Sequence, residues 1–177
     1  MFSHNLKSAD ARGVQRQVLN NESDFGISNR WEEDSELEFK PLALDPVGLV
    51  CPPDHPLANG EEPLTWRKLE GFPFVGMSQD TGVYKLIDAV EGCPESIRSP
   101  EYEVLTMAAL GGILEAKLAI TVLPLLAVPS HMHPALAFRA LIDPGVKREL
   151  CIITRRDRPL SAAAQKVHDL LLAEAPR

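Results

Sequence analysis

The chain has 177 residues, of which 45% are hydrophobic and 24% charged, enough apolar content for one or two modest cores and too much for a polypeptide disordered throughout. Its 25 acidic residues against 18 Lys and Arg give a net charge of −7, which argues against a chain whose main task is to grip a polyanion. The three cysteines, Cys51, Cys93 and Cys151, fit neither a disulfide framework nor a paired metal motif, and no window reaches the roughly 18 apolar residues of a membrane span, so a cytoplasmic setting is expected.

In chain order, residues 11–19 carry Val14, Val18 and Leu19 at helical spacing, with Asp10 as the cap. Residues 20–23 break that pattern, and Asp24-Phe25-Gly26-Ile27-Ser28 reads as a short buried strand ending in small polar residues. The acidic run 32–36 is a solvated loop. Alternation over 37–42 and the apolar run 47–51 predict two further strands. Pro52, Pro53 and Pro56 remove backbone donors, so the sheet stops there and the chain crosses to another domain.

Residues 65–69 predict a short helix capped at or beside Thr65, residues 74–75 a strand, and residues 82–89 a helix. A strand is expected within 97–105, a helix over 107–117 capped by Thr106, and another strand over 118–124. Segments 136–141 and 149–155 read as strands on either side of an Asp143-Pro144-Gly145 turn. The last helix, 161–173, carries Val167, Leu170 and Leu171 on its apolar side. This alternation implies α/β layers with mostly parallel sheets, whose ligands bind beyond the carboxyl ends of the strands.

The stretch Phe74-Val75-Gly76-Met77-Ser78-Gln79-Asp80-Thr81-Gly82 is the strongest pointer to a pocket. A strand that runs into small polar residues immediately before a helix presents free N–H groups and hydroxyls at the positive end of the helix dipole, which suits a carboxylate or similar anion. Leu118 to Pro124 supplies a second strand of the same kind. Simple helix capping accounts for Ser78 and Thr81 equally well, a turn position for Ser28, and an ordinary strand position for Thr121. A small hydrolase or transferase with Ser78 as nucleophile is the enzyme alternative, but Asp80 stands where a GxSxG elbow needs its last glycine. His131-Met132-His133 has an i, i+2 spacing without a nearby third ligand, so no metal is expected. Arg155, Arg156 and Arg158 read as a solvated strand end.

Asp24-Phe25-Gly26-Ile27, followed by Pro41-Leu42-Ala43-Leu44-Asp45-Pro46-Val47-Gly48-Leu49-Val50-Cys51-Pro52-Pro53-Asp54-His55-Pro56-Leu57-Ala58, resembles the signature of the LysR-type transcriptional regulators in their effector-binding domain. Gly71 to Val75, Leu114 to Pro124 and Lys147 to Ser161 are similar to later motifs of the same domain, so the resemblance spans nearly the whole chain. It implies a two-lobed α/β fold of the periplasmic-binding-protein kind (type II), with residues 1–53 and 144–177 in the first lobe and 54–143 in the second. It also implies a small-molecule effector held between the lobes, no catalysis, no cofactor and a homo-oligomer. DNA is read in that family by an N-terminal winged helix-turn-helix, which this sequence does not contain, and the first strand and helix of the effector domain are also expected to be missing. That gap predicts strand exchange between chains or a rearranged first lobe. A chain that only forms mixed oligomers with a full-length regulator is the remaining alternative.

Carried over residue by residue, the resemblance assigns effector contacts to Ser28 and Asn29, to Met77, Ser78, Gln79 and Thr81, to Thr121 and Val122, and to Ser8 or Asp10. Lys117 and Ala119 stand where the family usually has glycine, and a lysine in a left-handed turn costs about 1 kcal/mol. A locally altered turn is therefore expected there.

Overall fold

The structure, a computed structural model, describes residues 6–128 and 135–175. The chain divides into two compact units, the first made of residues 1–44 and 149–177 and the second of residues 45–148. The chain thus crosses between units at 44/45 and 148/149, whereas the resemblance puts the crossings at 53/54 and 143/144.

Unit 1 begins with helix α1 (Ala11–Leu19), where Asp10 Oδ1 accepts a hydrogen bond from Gly13 N–H at 2.7 Å and so satisfies one of the free donors of the first turn. Strand β1 (Gly26–Ser28) pairs antiparallel with β8 (Lys147–Arg155), and β8 in turn neighbours β2 (Leu37–Cys51). Gly26 lets α1 lie directly on β1, because a Cβ there would come inside 3.0 Å of Val14. Val18, Leu37, Cys151 and Ile153 form the small core, with Val14, Leu19 and Phe39 packed against it. Arg155 closes the layer by donating to Leu19 O at 2.5 Å while its guanidinium pairs with Glu36 and Asp157. The last helix, α5 (Ala162–Ala173), is capped by Ser161 and buries Ala164, but it leaves Val167 42% and Leu170 61% exposed.

Unit 2 contains the second half of β2, then β3 (Leu64–Thr65), a 3-10 turn (Trp66–Leu69), β4 (Val75–Met77), α2 (Gly82–Asp88), α3 (Glu95–Arg98), β5 (Tyr102–Val104), α4 (Met107–Glu115), β6 (Thr121–Pro124) and β7 (Ala137–Ile142). Strand β2 pairs antiparallel with both β6 and β7, β3 runs parallel to β7, and β4 runs parallel to β5. Backbone bonds from Val75 N–H to Ile120 O and from Ile120 N–H to Pro73 O, both 2.9 Å, join β6 to β4. The strand order in the unit is therefore β3-β7-β2-β6-β4-β5. Alternation splits the apolar residues between two faces. Leu49, Trp66, Phe74, Ile87, Ile97 and Val122 pack together on one, and Val50, Val75, Leu110, Leu114 and Leu123 on the other.

Three expectations from the sequence need correction. The sheets are mixed rather than mostly parallel, because β2 and β8 run against their neighbours. Residues 37–51 form one continuous strand, not two, and Pro46 falls just before the register positions of the β2 pairings with β6 and β7, where its missing N–H costs no ladder bond to either. At the end of α4 the left-handed turn is kept. Lys117 sits at φ 58°, its N–H donates to Leu114 O at 2.9 Å and Leu118 N–H donates to Ile113 O at 3.1 Å, a Schellman closure. Lys117 also pairs with Asp54, but both side chains are exposed, so solvent screening leaves that pair little weight against the backbone cost.

Candidate functional site

From β4 the chain leaves through α2 and α3 to β5 on one side, and from β5 it returns through α4 to β6 on the other side of β4. In open α/β sheets the ligand crevice forms beyond the carboxyl ends of the strands, where neighbouring connections part in this way. In unit 2 that place lies beyond Met77 on β4 and Pro124 on β6.

The segment after Met77 is locked by its own backbone. Ser78 N–H donates to Val104 O at 2.9 Å, which fixes the end of β4 against the end of β5. Ser78 O accepts from Thr81 N–H at 2.9 Å and from Thr81 Oγ1 at 2.8 Å, and Thr81 Oγ1 accepts in turn from Tyr84 N–H at 3.2 Å to cap α2. Thr81 therefore has its hydroxyl proton committed. The Ser78 hydroxyl and the N–H groups of Gln79, Asp80, Gly82 and Val83 have no hydrogen-bond partner among the described residues. This tight turn presents one hydroxyl and several backbone donors at the end of a parallel strand, a set that favours an anion.

The other unit 2 candidates face elsewhere. Thr121 is 1% exposed and its Oγ1 donates to Val75 O at 2.7 Å, so the hydroxyl ties β6 to β4. Val122 lies in one core layer with Leu49 and Phe74, and Met77 in the other with Leu110 and Leu123. Met77, Thr121 and Val122 line a cavity with Phe74, Tyr84 and Arg98, but its volume of about 20 Å³ holds about one water molecule and no effector.

In unit 1, Ser28 ends β1 opposite Cys151, and Asn29 Nδ2 donates to Arg30 O at 3.4 Å. Ser8 is exposed ahead of α1, and the Asp10 carboxylate is occupied with Gly13. The loop after Asn29 is held by Gln15, whose Oε1 accepts from Trp31 N–H at 2.5 Å and Glu32 N–H at 3.2 Å while its Nε2 donates to Glu32 O at 3.0 Å. Sequence reasoning passed over Gln15. The available signal was a polar residue beside Val14 on the helix stripe that Val18 continues.

No histidine among the described residues hydrogen-bonds Ser78, and none of the described residues form a group suited to a metal ion. His131, Met132 and His133 lie outside the described residues. No helix among the described residues is long and apolar enough to cross a membrane. The three thiols are free and buried, and burial raises each pKa, Cys51 to about 11.

Residues 3–176 match the family model for the LysR substrate binding domain. The chain is 36% identical over 155 residues to the uncharacterized HTH-type transcriptional regulator YbhD of Escherichia coli K12, covering 88% of this chain and 49% of the relative, so it spans about half that protein's length. The regulatory domain of Synechocystis CcmR in complex with 2-PG superposes with a TM-score of 0.76 at 20% identity, covering 98% of this chain and 83% of that one. The effector-binding domain of QuiR in complex with shikimate gives 0.71 at 17% identity, over 94% and 78%. These likenesses show the fold, an α/β arrangement of the type II periplasmic-binding-protein kind, and the relatives are transcriptional regulators rather than enzymes. The chain belongs to the LysR substrate-binding domain family.

Proposed function

We propose that this chain is the sensing module of a LysR-type regulator and that it binds a small anionic metabolite through the turn that follows β4. The observation that carries this reading is the unpartnered Ser78 hydroxyl beside the free N–H groups of Gln79, Asp80, Gly82 and Val83, at the point where the connections from β4 part. Ser78 and Gln79 are the direct contacts, and Thr81 holds the turn in shape through Ser78 O and Tyr84 N–H. Met77 ends β4 directly before that turn, and Thr121, next to Val122 on β6, ties β6 to β4 through Val75 O. Ser28 and Asn29 of unit 1, with Ser8 or Asp10, are further effector contacts in this proposal and are tested by their own variants. Two structural relatives are described as complexes with shikimate and with 2-PG, which makes small carboxylates and phosphates the first compounds to try.

Binding signals only through a difference in affinity between two states of the domain. The net charge of −7 favours a chain that does not itself hold DNA, and the reduced, buried thiols favour the cytoplasm. The test is calorimetry with a panel of small carboxylates and phosphates. Saturable binding that weakens about tenfold in Ser78→Ala supports the site. Binding that ignores Ser78→Ala and Ser78→Tyr alike rules the site out.

A specific observation also favours assembly through unit 1. Strand β1 has β8 on one edge and no strand on the other among the described residues, and Ile27 at its centre is 41% exposed. An unpaired edge beside exposed apolar side chains is a template for another strand. We infer that β1 pairs with a strand of a second chain. Light scattering on wild type and Ile27→Lys tests this, since the variant shifts the mass toward the monomer if the pairing exists and leaves it unchanged if it does not.

A further inference from the structure

The sheet of unit 2 has a second hollow at the opposite ends of the same strands. It opens where the chain enters β4 at Pro73 and β6 at Ile120, and its volume is about 250 Å³. Pro73 precedes Ser78 by five residues of extended chain, so this hollow and the Ser78 turn are separated by roughly 16 Å along β4. Its lining falls within the stretches that carry the family resemblance, but none of the effector contacts assigned above belongs to it.

Its chemistry is specific. Ala119 and Ile120 are buried and form an apolar floor, and Pro52, Pro56 and Leu118 form apolar walls. Two opposite charges stand within this surface, the Asp54 carboxylate and the Lys117 ammonium, paired with one another. His55 adds a ring packed edge-on against Phe72 with centroids 4.8 Å apart. Its Nδ1 accepts from Leu57 N–H at 3.2 Å, which requires the neutral imidazole. The lining charges therefore sum to zero, one positive and one negative.

Such a pocket discriminates by charge. The Asp54 and Lys117 side chains are about 60% exposed and stand at the open side of the hollow, where a simple carboxylate meets the like charge of Asp54 and a simple amine the like charge of Lys117. A zwitterion avoids both repulsions. Its carboxylate pairs with Lys117 and its ammonium with Asp54, and the two ends of the existing ion pair each exchange one partner for another. The volume falls below the roughly 300 Å³ at which drug-sized sites begin, so the guest is small. The proline and leucine walls favour an apolar side chain on it.

We propose that this hollow binds a free α-amino acid with an apolar side chain, held head to tail between Lys117 and Asp54, as a site separate from the turn at Ser78. The proposal does not rest on the effector reading, because it concerns other residues and another class of ligand.

The experiment is a heteronuclear NMR titration of the whole chain with L-leucine and L-phenylalanine, alongside 4-methylpentanoate and 3-methylbutylamine, which each keep one charge of leucine. Leucine or phenylalanine is expected to shift Leu118, Ala119 and Ile120 saturably, and the singly charged analogues to bind at least about tenfold more weakly. Asp54→Asn and Lys117→Gly are each expected to weaken amino-acid binding about tenfold. Lys117→Gly removes the ammonium at a backbone position that glycine adopts freely, so a lowered unfolding midpoint is not expected and lost binding cannot be blamed on misfolding. Absence of saturable shifts with both amino acids overturns the proposal. So does equal binding by 4-methylpentanoate, or binding indifferent to both substitutions.

Discussion

Asp45 and Arg148, the first and last residues of unit 2, hold each other where the chain enters and leaves that unit. Asp45 Oδ2 accepts from Arg148 Nη2 at 2.6 Å and Nε at 3.2 Å, and Asp45 Oδ1 accepts from Leu126 N–H at 2.9 Å. The aspartate side chain is fully buried and the arginine 20% exposed. A buried carboxylate with both oxygens occupied clamps β2, β8 and the turn after β6 to one another.

Breaking that pair from the arginine side leaves a buried charge with one neutral donor, which costs several kcal/mol. Arg148→Met is expected to lower unfolding free energy by about 3 kcal/mol in urea titrations, and Asp45→Asn with Arg148→Met to cost less than the sum of the single changes. A loss for Arg148→Met below about 1 kcal/mol would show that solvent reaches Asp45 freely.

Burial lowers the pKa of His55 below its ordinary value of 6.5. The unfolded chain then binds the proton more readily than the folded one, so stability is full above about pH 6.5 and declines as pH falls from there toward the folded-state pKa. Melting temperatures of the wild type are expected to drop through this window, and His55→Asn, which keeps an acceptor for Leu57 N–H, to flatten that part of the profile. Identical slopes in the two proteins would remove His55 from the account.

The thiols of Cys51, Cys93 and Cys151 are held protonated by burial, Cys51 up to about 11. Only the thiolate is a competent nucleophile. Iodoacetamide at neutral pH is therefore expected to label the native chain slowly and the urea-unfolded chain fully, as read by intact mass. Fast native labelling at any of the three would contradict the burial seen here.

Gly48 lies on β2 against β7, and a Cβ there would come inside 3.0 Å of Arg139 O and of the Phe138 ring. Backbone on one side cannot give way. Gly48→Ala is expected to cost about 2 kcal/mol or more in thermal or urea unfolding, whereas Gly112→Ala, at a helix position where the added Cβ meets nothing within 4 Å, should be neutral or stabilising.

The local elements were legible because their causes are local. Asp10, Thr81, Thr106 and Ser161 each cap the helix that the spacing predicts, and each side chain accepts from an N–H three residues on. The left-handed Lys117 was visible as a residue standing at a glycine position, although the turn itself did not change. The two-residue β3 and the one-turn α3 were not visible, since so short a segment carries no period.

The candidate site divided along the same line. Hydroxyls at a strand-to-helix turn marked Ser78 and Thr81 from the sequence, but only the packed sheet decides that Thr81 spends its proton on Ser78 O and Thr121 on Val75 O. By itself the sequence determined the family, the longer helices and their caps, and most of the strands, because caps, prolines and periodicity act within a few residues. Tertiary structure alone decided that β2 runs unbroken through two prolines, that Gln15 grips Trp31 and Glu32, and that Asp45 meets Arg148 across 103 residues of chain. Such contacts depend on sheet register and burial, which no local pattern encodes.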